Sequence, residues 1–502
     1  MAYGVQAATG ETKRFYVLLS VMMAMFMGAI EGTIVATAIP AIVGDLGGFS
    51  LYSWVFSSYL LMNTVTVLIY GKLADVFGRK PVITFGIIIF LGGSILCGLA
   101  GTMEQLIIYR LIQGLGAGAV MPIATTIVGD IYTKEERPKI QGYLSSVWGI
   151  SAIMGPAVGG LLVEYASWRW VFWVNIPLGI VAIAGIWLFL HEKTEIRKQK
   201  IDYSGAFLLT VSISALMIIL VEGGVRWSWI SFEVLAIISV SIAAIILFVF
   251  QERKNPEPMV PFELWKSRSI LIANVVSFTT GLMLIGISSF LPAFVQGVME
   301  KSATIAGFTL TAMSIGWPIA STIAGRFILS IGFRATSVIG GVFLIIGGFL
   351  FITIIPTAGP IGAAVASFFV GVGMGLTSTS FIVLIQGAVA WKQRGIATAS
   401  NMFMRNLGNT VGAALFGGIL NGQIIRYFSR EGGEIGKTLT LDSTNALLNE
   451  EERIHLGPDV KELLQNGLAF SLHTVYYAVF IFAIISFLFI FFLPKTGNEK
   501  VN

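Results

Sequence analysis

The chain has 502 residues, 55% of them hydrophobic and only 12% charged, with 32 Lys and Arg against 27 Asp and Glu. A soluble protein carries about a quarter charged residues, so this composition excludes one and requires an integral membrane protein. A single cysteine, Cys97, excludes an intrachain disulfide, and three histidines leave little for a zinc or haem centre, so no cofactor or metal is expected.

Apolar runs of about twenty residues recur along the chain, each long enough to cross a bilayer as a helix. They lie near 15–40, 53–70, 82–100, 104–131, 141–163, 170–190, 205–221, 230–250, 269–295, 303–325, 335–355, 361–389, 396–422 and 470–493. This predicts an all-α polytopic membrane protein of about fourteen transmembrane helices. The first run is too long for a cleavable signal peptide, and Lys13 and Arg14 before it should hold the N-terminus inside. An even number of spans puts both termini in the cytoplasm. The loop charges agree: Lys72, Arg79, Lys80, Lys134, Arg137 and Lys139 fall on the inner side, as do Lys193, Arg197, Lys198, Lys200, Arg326, Arg334, Lys392 and Arg394. The short outer loops hold Arg169, Arg226 and Lys301, so the basic excess marks the cytoplasmic face and not a nucleic-acid site. A long polar stretch near 423–467 falls outside.

Between the second and third runs stands Gly71-Lys72-Leu73-Ala74-Asp75-Val76-Phe77-Gly78-Arg79-Lys80-Pro81. It is expected as a loop of about ten residues, with Gly71 and Gly78 letting the backbone turn tightly. Gly325 and Gly332 repeat its seven-residue glycine spacing, with Leu329 where Asp75 stood, and Gly408 and Gly412 echo Gly155 and Gly159. Such echoes suit two related halves, as in secondary transporters, if the helices in 205–250 are an insertion. The expected organisation is a six-helix bundle over 1–200, two inserted helices over 201–268, and a second six-helix bundle over 269–502.

G-x-L-A-D-x-x-G-R-K closely resembles the signature loop between helices 2 and 3 of the major facilitator superfamily. Other stretches are similar to its fourteen-helix drug:proton antiporter subfamily. Glu31-Gly32-Thr33-Ile34-Val35-Ala36-Thr37-Ala38-Ile39-Pro40 resembles D-x-T-I-V-x-x-A-x-P, with Glu in place of the usual Asp. Arg110-Leu111-Ile112-Gln113-Gly114 resembles the helix 4 motif R-x-x-Q-G. Gly149, Gly155, Pro156, Gly159 and Gly160 resemble the helix 5 antiporter motif, and Trp168 to Phe172 with Asn175 and Pro177 resemble the stretch before helix 6. The resemblance implies proton-coupled export of amphipathic, cationic drug-like compounds by alternating access, from the cell membrane of a bacterium, by a monomer whose partners are its small substrate, protons and the lipid bilayer. The same fold exporting a lipid, siderophore or metabolite, or importing, is the alternative. A membrane enzyme is disfavoured because no Ser/His/Asp set, H-E-x-x-H or phosphate loop occurs.

Ionisable side chains deep in the membrane are costly and point to function. Glu31 lies sixteen residues past Phe15, roughly 24 Å above the inner face, and Arg110 lies roughly 9 Å beneath the outer one. In a core of about 30 Å the two converge on one level. They are expected to face one central cavity, with Glu31 carrying the coupling proton and Arg110 modulating it. A permanent ion pair locking two helices is the competing reading. Arg405, roughly 14 Å into its helix, is assigned a structural or gating role, with anion binding, balancing a carboxylate or snorkelling as alternatives. Asp75, Arg79 and Asp130 are expected to form a latch at the inner face. Gly149, Gly155, Gly159 and Gly160 make one bare flank of helix 5, bent by Pro156, for close helix approach.

Overall fold

The computed structural model describes residues 12–494, apart from 134–135, 193–201, 256–257, 259, 261, 357–358 and 390–393. Among the described residues there is no β-strand. The long helices are apolar around most of their circumference, as helices must be when lipid lies on one side and other helices on the other. Along the first part of the chain run α1 (Arg14–Leu46), α2 (Tyr52–Phe77), α3 (Arg79–Gly98), α4 (Met103–Ile131), α5 (Arg137–Tyr165), α6 (Trp170–Trp173) and α7 (Asn175–Phe189). Next come α8 (Tyr203–Glu222), α9 (Phe232–Lys254), α10 (Arg268–Ala293), α11 (Ala303–Thr353), α12 (Pro360–Ala388) and α13 (Arg394–Glu431). Four short or terminal helices close the chain: α14 (Gly433–Gly436), α15 (Asn445–Leu448), α16 (Glu450–His455) and the long α17 (Pro458–Phe491).

Twelve segments among the described residues are long and apolar enough to cross a membrane. One of them, α11, runs for 51 residues. Unbroken it would measure about 77 Å, more than twice the hydrocarbon thickness. It is interrupted at Gly332, whose φ of 84° and ψ of 169° are not helical. Gly78, between α2 and α3, has nearly the same backbone, φ 94° and ψ 154°. The two glycines that echo each other in sequence thus make the same left-handed turn, a conformation open to glycine at no steric cost.

Several expected boundaries move. The signature segment is not a ten-residue loop: α2 continues through Phe77, Gly71 is helical, and the turn is made at Gly78 alone. A Cβ at Gly71 would meet nothing within 4 Å, so no close approach requires glycine there. The sixth span is broken into α6 and α7, with Pro177 tolerated in the first turn of α7 because its missing N–H would be unpaired anyway. The outer polar stretch is shorter than 423–467. Helix α13 runs on to Glu431 and α17 begins at Pro458, since helices continue past the point where hydropathy falls.

Helix α1 packs on α4, α5 and α7, and α2 and α3 both pack on α4. Later in the chain, α10 packs on α13 and α17, and α11 packs on α12 and α17. Helices α8 and α9 pair with each other, and α8 also touches α2 and α13. The start of α1 and the end of α17 share one face, called here the terminal face; the opposite one is the distal face. At the distal face a single apolar cluster joins Ile34, Phe49 and Tyr52 to Phe290, Phe294 and Tyr476. The Tyr52 hydroxyl donates to the Ser289 carbonyl at 2.5 Å, and the Gln296 amide donates to the Thr37 carbonyl at 3.2 Å. Toward the terminal face the core divides, apart from a lateral cluster that joins Leu61 and Val65 of α2 to Phe403 of α13 through α8. One cluster there gathers Val17, Ile87, Ile123 and Ile186, and a separate one gathers Ile270, Phe381 and Ile490.

The distal segment between α13 and α17 is folded over the closed side. Asn445 and Asp442 accept from the backbone N–H groups of Phe49 and Ser50, and Asn449 donates to the Gly44 carbonyl. Arg453 donates to the Gln296 carbonyl, so the segment grips the ends of both α1 and α10.

Candidate functional site

Glu31 and Arg110 meet. The Arg110 Nη1 donates to one Glu31 carboxylate oxygen, and the pair is fully buried. The level inferred from helix rise is therefore the observed one. The expected exposure is not: neither side chain opens on a cavity, because other helices close around them. The same Nη1 donates to Gln113 Oε1 at 2.6 Å, and Nε donates to the Val55 carbonyl at 3.2 Å. The second Glu31 oxygen accepts from Asn175 Nδ2 at 2.6 Å. Gln113 passes the chain on, donating to Ser94 Oγ at 2.8 Å, and the Arg110 guanidinium lies 4.2 Å from the Tyr59 ring centre.

Each partner arrives by local logic. Gln113 follows Arg110 by three residues and so shares its face of α4. Asn175 stands in the first turn of α7, where the break after α6 turns it inward; its Oδ1 is buried without a hydrogen bond. One carboxylate thus binds α1 to α4 through one oxygen and to α7 through the other. Breaking a buried pair by removing one partner costs about 3–5 kcal/mol, because the survivor is left as an uncompensated charge. Of these partners, the R-x-x-Q spacing marks Gln113 in the sequence. Tyr59, Ser94 and the Val55 carbonyl carry no such mark, and Asn175 lies 144 positions from Glu31.

At the terminal face Arg79 Nε lies 3.1 Å from Asp130 Oδ2, so this arm of the expected latch is present. Asp75 lies one turn back on α2, and its side chain is outside the described residues. Glu192 is an unforeseen member: its two oxygens accept from the backbone N–H groups of Arg79 and Lys80, at 2.8 and 3.0 Å. Those donors belong to the unpaired first turn of α3, where a carboxylate also opposes the helix dipole.

The bare flank of α5 is used on two sides. A Cβ at Gly155 would strike the Thr33 hydroxyl, and one at Gly159 would lie 2.8 Å from the Ile34 carbonyl, so both seat α5 on α1. Gly160 faces α11, where a Cβ would come within 2.6 Å of the Thr304 Cα; Gly149 has only a 3.4 Å contact, to Pro318. Pro156 lies within α5 and its carbonyl would block a Cβ at Gly307. The echo holds here too. Gly408 and Gly412 seat α13 on α10, against the Phe278 carbonyl and Leu282.

Arg405, on α13, is half-buried in a recess toward the terminal side that is shared with Trp317, Thr377, Ser378, Asn401 and Met402. Its guanidinium carbon is 6.0 Å from the Trp317 ring centre. Asn401 is occupied elsewhere, donating to Ser277 Oγ at 2.8 Å and to Asn274 Oδ1 at 3.1 Å. No described residue forms an ion pair or hydrogen bond with the Arg405 guanidinium.

The profile of the Major Facilitator Superfamily matches residues 21–413. Multidrug resistance protein 3 of Bacillus subtilis (strain 168) is 38% identical, over 80% of this chain and 78% of that protein. Multidrug transporter protein MdtP of the same organism is 32% identical over 98% of this chain and 95% of its own length. Among solved structures, a bacterial homologue of the human lysosomal transporter Spinster, in an inward-facing and unoccupied conformation, superposes with a TM-score of 0.64. It shares 16% identity, over 99% of this chain and 100% of that one.

Proposed function

This chain belongs to the Major Facilitator Superfamily, and on that premise we propose that it is a fourteen-span, proton-coupled exporter of amphipathic drug-like compounds. It is a transporter, not an enzyme, and spans the membrane many times. The names of its relatives, a multidrug transporter and a multidrug resistance protein, support drugs as the cargo and their removal as the direction. The count of fourteen takes α11 as two spans broken at Gly332 and adds α13 to the other long helices. In this layout residues 1–200 and 269–502 form two six-helix bundles, with α8 and α9 in 201–268 as the inserted pair. The terminal face is cytoplasmic, as the loop charges indicate, and the cell membrane is the site of action. The protein works as a monomer, since one chain supplies both sides of the path.

The observation that carries proton coupling is the double engagement of Glu31. While ionised, its carboxylate holds α4 through Arg110 and α7 through Asn175. Protonation removes the charge that Arg110 requires and loosens α1 from both neighbours at once. In the present arrangement the halves are joined at the distal face and divided toward the terminal face, so cargo enters from the cytoplasm. Once protonation has loosened α1 and opened the buried pair to the path, a basic group on the cargo competes with Arg110 for Glu31 and displaces its proton; a proton taken up from outside then releases the cargo. Asp75, Arg79 and Asp130 bias the arrangement of the bundles instead of touching cargo, and the glycine flank of α5 keeps the seam tight against leak.

The test is proton release by purified protein on addition of a lipophilic cation such as tetraphenylphosphonium, followed with a pH dye in weak buffer. Wild type should release protons, Glu31→Asp should retain release, and Glu31→Gln should abolish it. Wild-type stoichiometry in the Gln variant would assign the carrier to another residue.

A further inference from the structure

The two arginines within the membrane-spanning helices, Arg110 and Arg405, are treated differently, and the difference bears on cargo. Glu31 and Arg110 neutralise each other. Arg405 has nothing of the kind. From Leu264 to Arg430 the sequence contains a single acidic residue, Glu300, and that lies in the turn between α10 and α11, on the distal side. After Glu462, near the start of α17, no further Asp or Glu appears before residue 495. The membrane-spanning parts of α10 to α13 and α17 therefore hold no carboxylate at all. A guanidinium within a membrane-spanning helix is costly unless paired or wetted, and an arginine kept permanently charged cannot escape by losing its proton. The surrounding side chains do not replace a counter-ion. Asn401 turns its Nδ2 to Asn274 and Ser277, Thr377 donates back to the Gly373 carbonyl of its own helix at 2.8 Å, and neither side-chain oxygen accepts from Arg405. Ser378 also lines the recess, and its hydroxyl is not engaged in a hydrogen bond.

We propose that Arg405 is a cargo-binding residue: the recess it shares with Trp317 and Ser378 binds the carboxylate-like anionic group of an amphipathic substrate whose flat apolar body lies along Trp317 and Met402. The proposal rests on the export reading above and widens the cargo class from bases to acids and zwitterions. A guanidinium presents parallel N–H donors that match a carboxylate, and an indole face accepts a flat ring beside it. The partial exposure of Arg405 lets water reach it while the site is empty. As the site closes, an anion on the cargo replaces that water, so closure with an acid aboard leaves no bare charge. Among the ways to satisfy Arg405, pairing across the path with Glu31 is disfavoured here, because both Glu31 oxygens are already taken.

Binding to purified protein in phosphatidylcholine nanodiscs tests this without transport. The probes are 2-naphthoate and its uncharged isostere 2-naphthamide, measured by equilibrium dialysis at neutral pH. Wild type should bind naphthoate at least tenfold more tightly than naphthamide. Arg405→Gln should bring that ratio to about one, Arg405→Lys should keep part of it, and Trp317→Leu should weaken both probes and leave the ratio. Should Arg405→Gln not fold, Ser378→Asp supplies an internal counter-ion and should also abolish the preference. A ratio of one in wild type, or a ratio unmoved by Arg405→Gln or Ser378→Asp, overturns the proposal; so does loss of the preference when phosphatidylglycerol is added, which would assign the site to a lipid headgroup. The export reading fails separately, if proteoliposomes bearing a pH gradient move no amphipathic probe of any charge.

Discussion

The two halves of the chain use the same glycines and opposite electrostatics. Gly155 and Gly159 seat α5 on α1, and Gly408 and Gly412 seat α13 on α10 in the same way. Gly78 and Gly332 make matching left-handed turns. Yet the first half closes its buried charges into a network of Glu31, Arg110, Asn175 and Gln113, whereas the second leaves Arg405 without a carboxylate on any spanning segment of its own half. The glycine contacts match because close backbone approach depends only on absent side chains. Charge is free to diverge around them, and in the readings above one half takes the proton and the other an acid group of the cargo.

The largest effect that could break this comparison is on stability. Arg110→Ala strands Glu31 in the core and should lower stability by about 3–5 kcal/mol, seen as a fall in the thermal transition in detergent. Arg405→Ala removes a charge that meets no carboxylate or hydrogen-bond partner among the described residues, and it should change the transition little. Equal losses from both would mean that Arg405 has a hidden counter-ion and the contrast is false.

Next in size are the shared contacts. Adding a methyl at Gly155 or at Gly408 forces apart helices whose backbone or hydroxyl lies within bonding distance of the new carbon, and overpacking of this kind costs about 1–3 kcal/mol. Gly155→Ala and Gly408→Ala should therefore both lower the thermal transition, while Gly71→Ala, where nothing lies within 4 Å, should not. A harmless Gly408→Ala would end the structural equivalence of the halves.

The signature segment and its degenerate copy differ at Asp75 and Leu329, and that difference should show as function, not stability. Asp75→Asn is expected to weaken transport several-fold while expression and drug binding persist. Spin-label distances across the terminal face should shift toward the open arrangement. Full transport with an unchanged distance distribution would make Asp75 a bystander and remove this asymmetry.

The smallest effect lies at the distal face, where the folded segment crosses from one half to the other. Glu300 takes a left-handed backbone, φ 52°, and its carboxylate lies 2.6 Å from Lys461 and accepts from Gln465. The hydrogen bond from Lys461 holds its carboxyl below the usual range, against the opposing pull of partial burial. A depressed carboxyl contributes stability that is present above its unfolded value, 4.5, and is lost as pH falls through the lower folded one. Hydrogen exchange in 458–465 should thus quicken as pH is lowered below about 4.5, after correction for intrinsic rates. Glu300→Gln should exchange quickly at neutral pH and lose that dependence.

Much of this was legible in the chain itself. Apolar run length located the spanning helices, and helix rise placed Glu31 and Arg110 at one depth, because both follow from local geometry. The glycine spacings disclosed the matching helix contacts and turns for the same reason. Hydropathy misjudged where helices end, since α2 and α13 continue as helices after their sequences turn polar. The partners of Glu31 were less accessible: Gln113 lies one turn from Arg110, but Asn175 reaches Glu31 only because α7 packs on α1.

The sequence by itself determined an α-helical membrane protein, its duplicated turns, and which few charges must sit among apolar neighbours. Tertiary structure alone decided that Glu31 and Arg110 are sealed together instead of lining a cavity, that Glu192 caps α3, and that Arg405 has no ion pair or hydrogen bond among the described residues. The physical reason is range. Burial and turn geometry are set within one helix or one loop, whereas pairing of a charge depends on which helices are brought side by side.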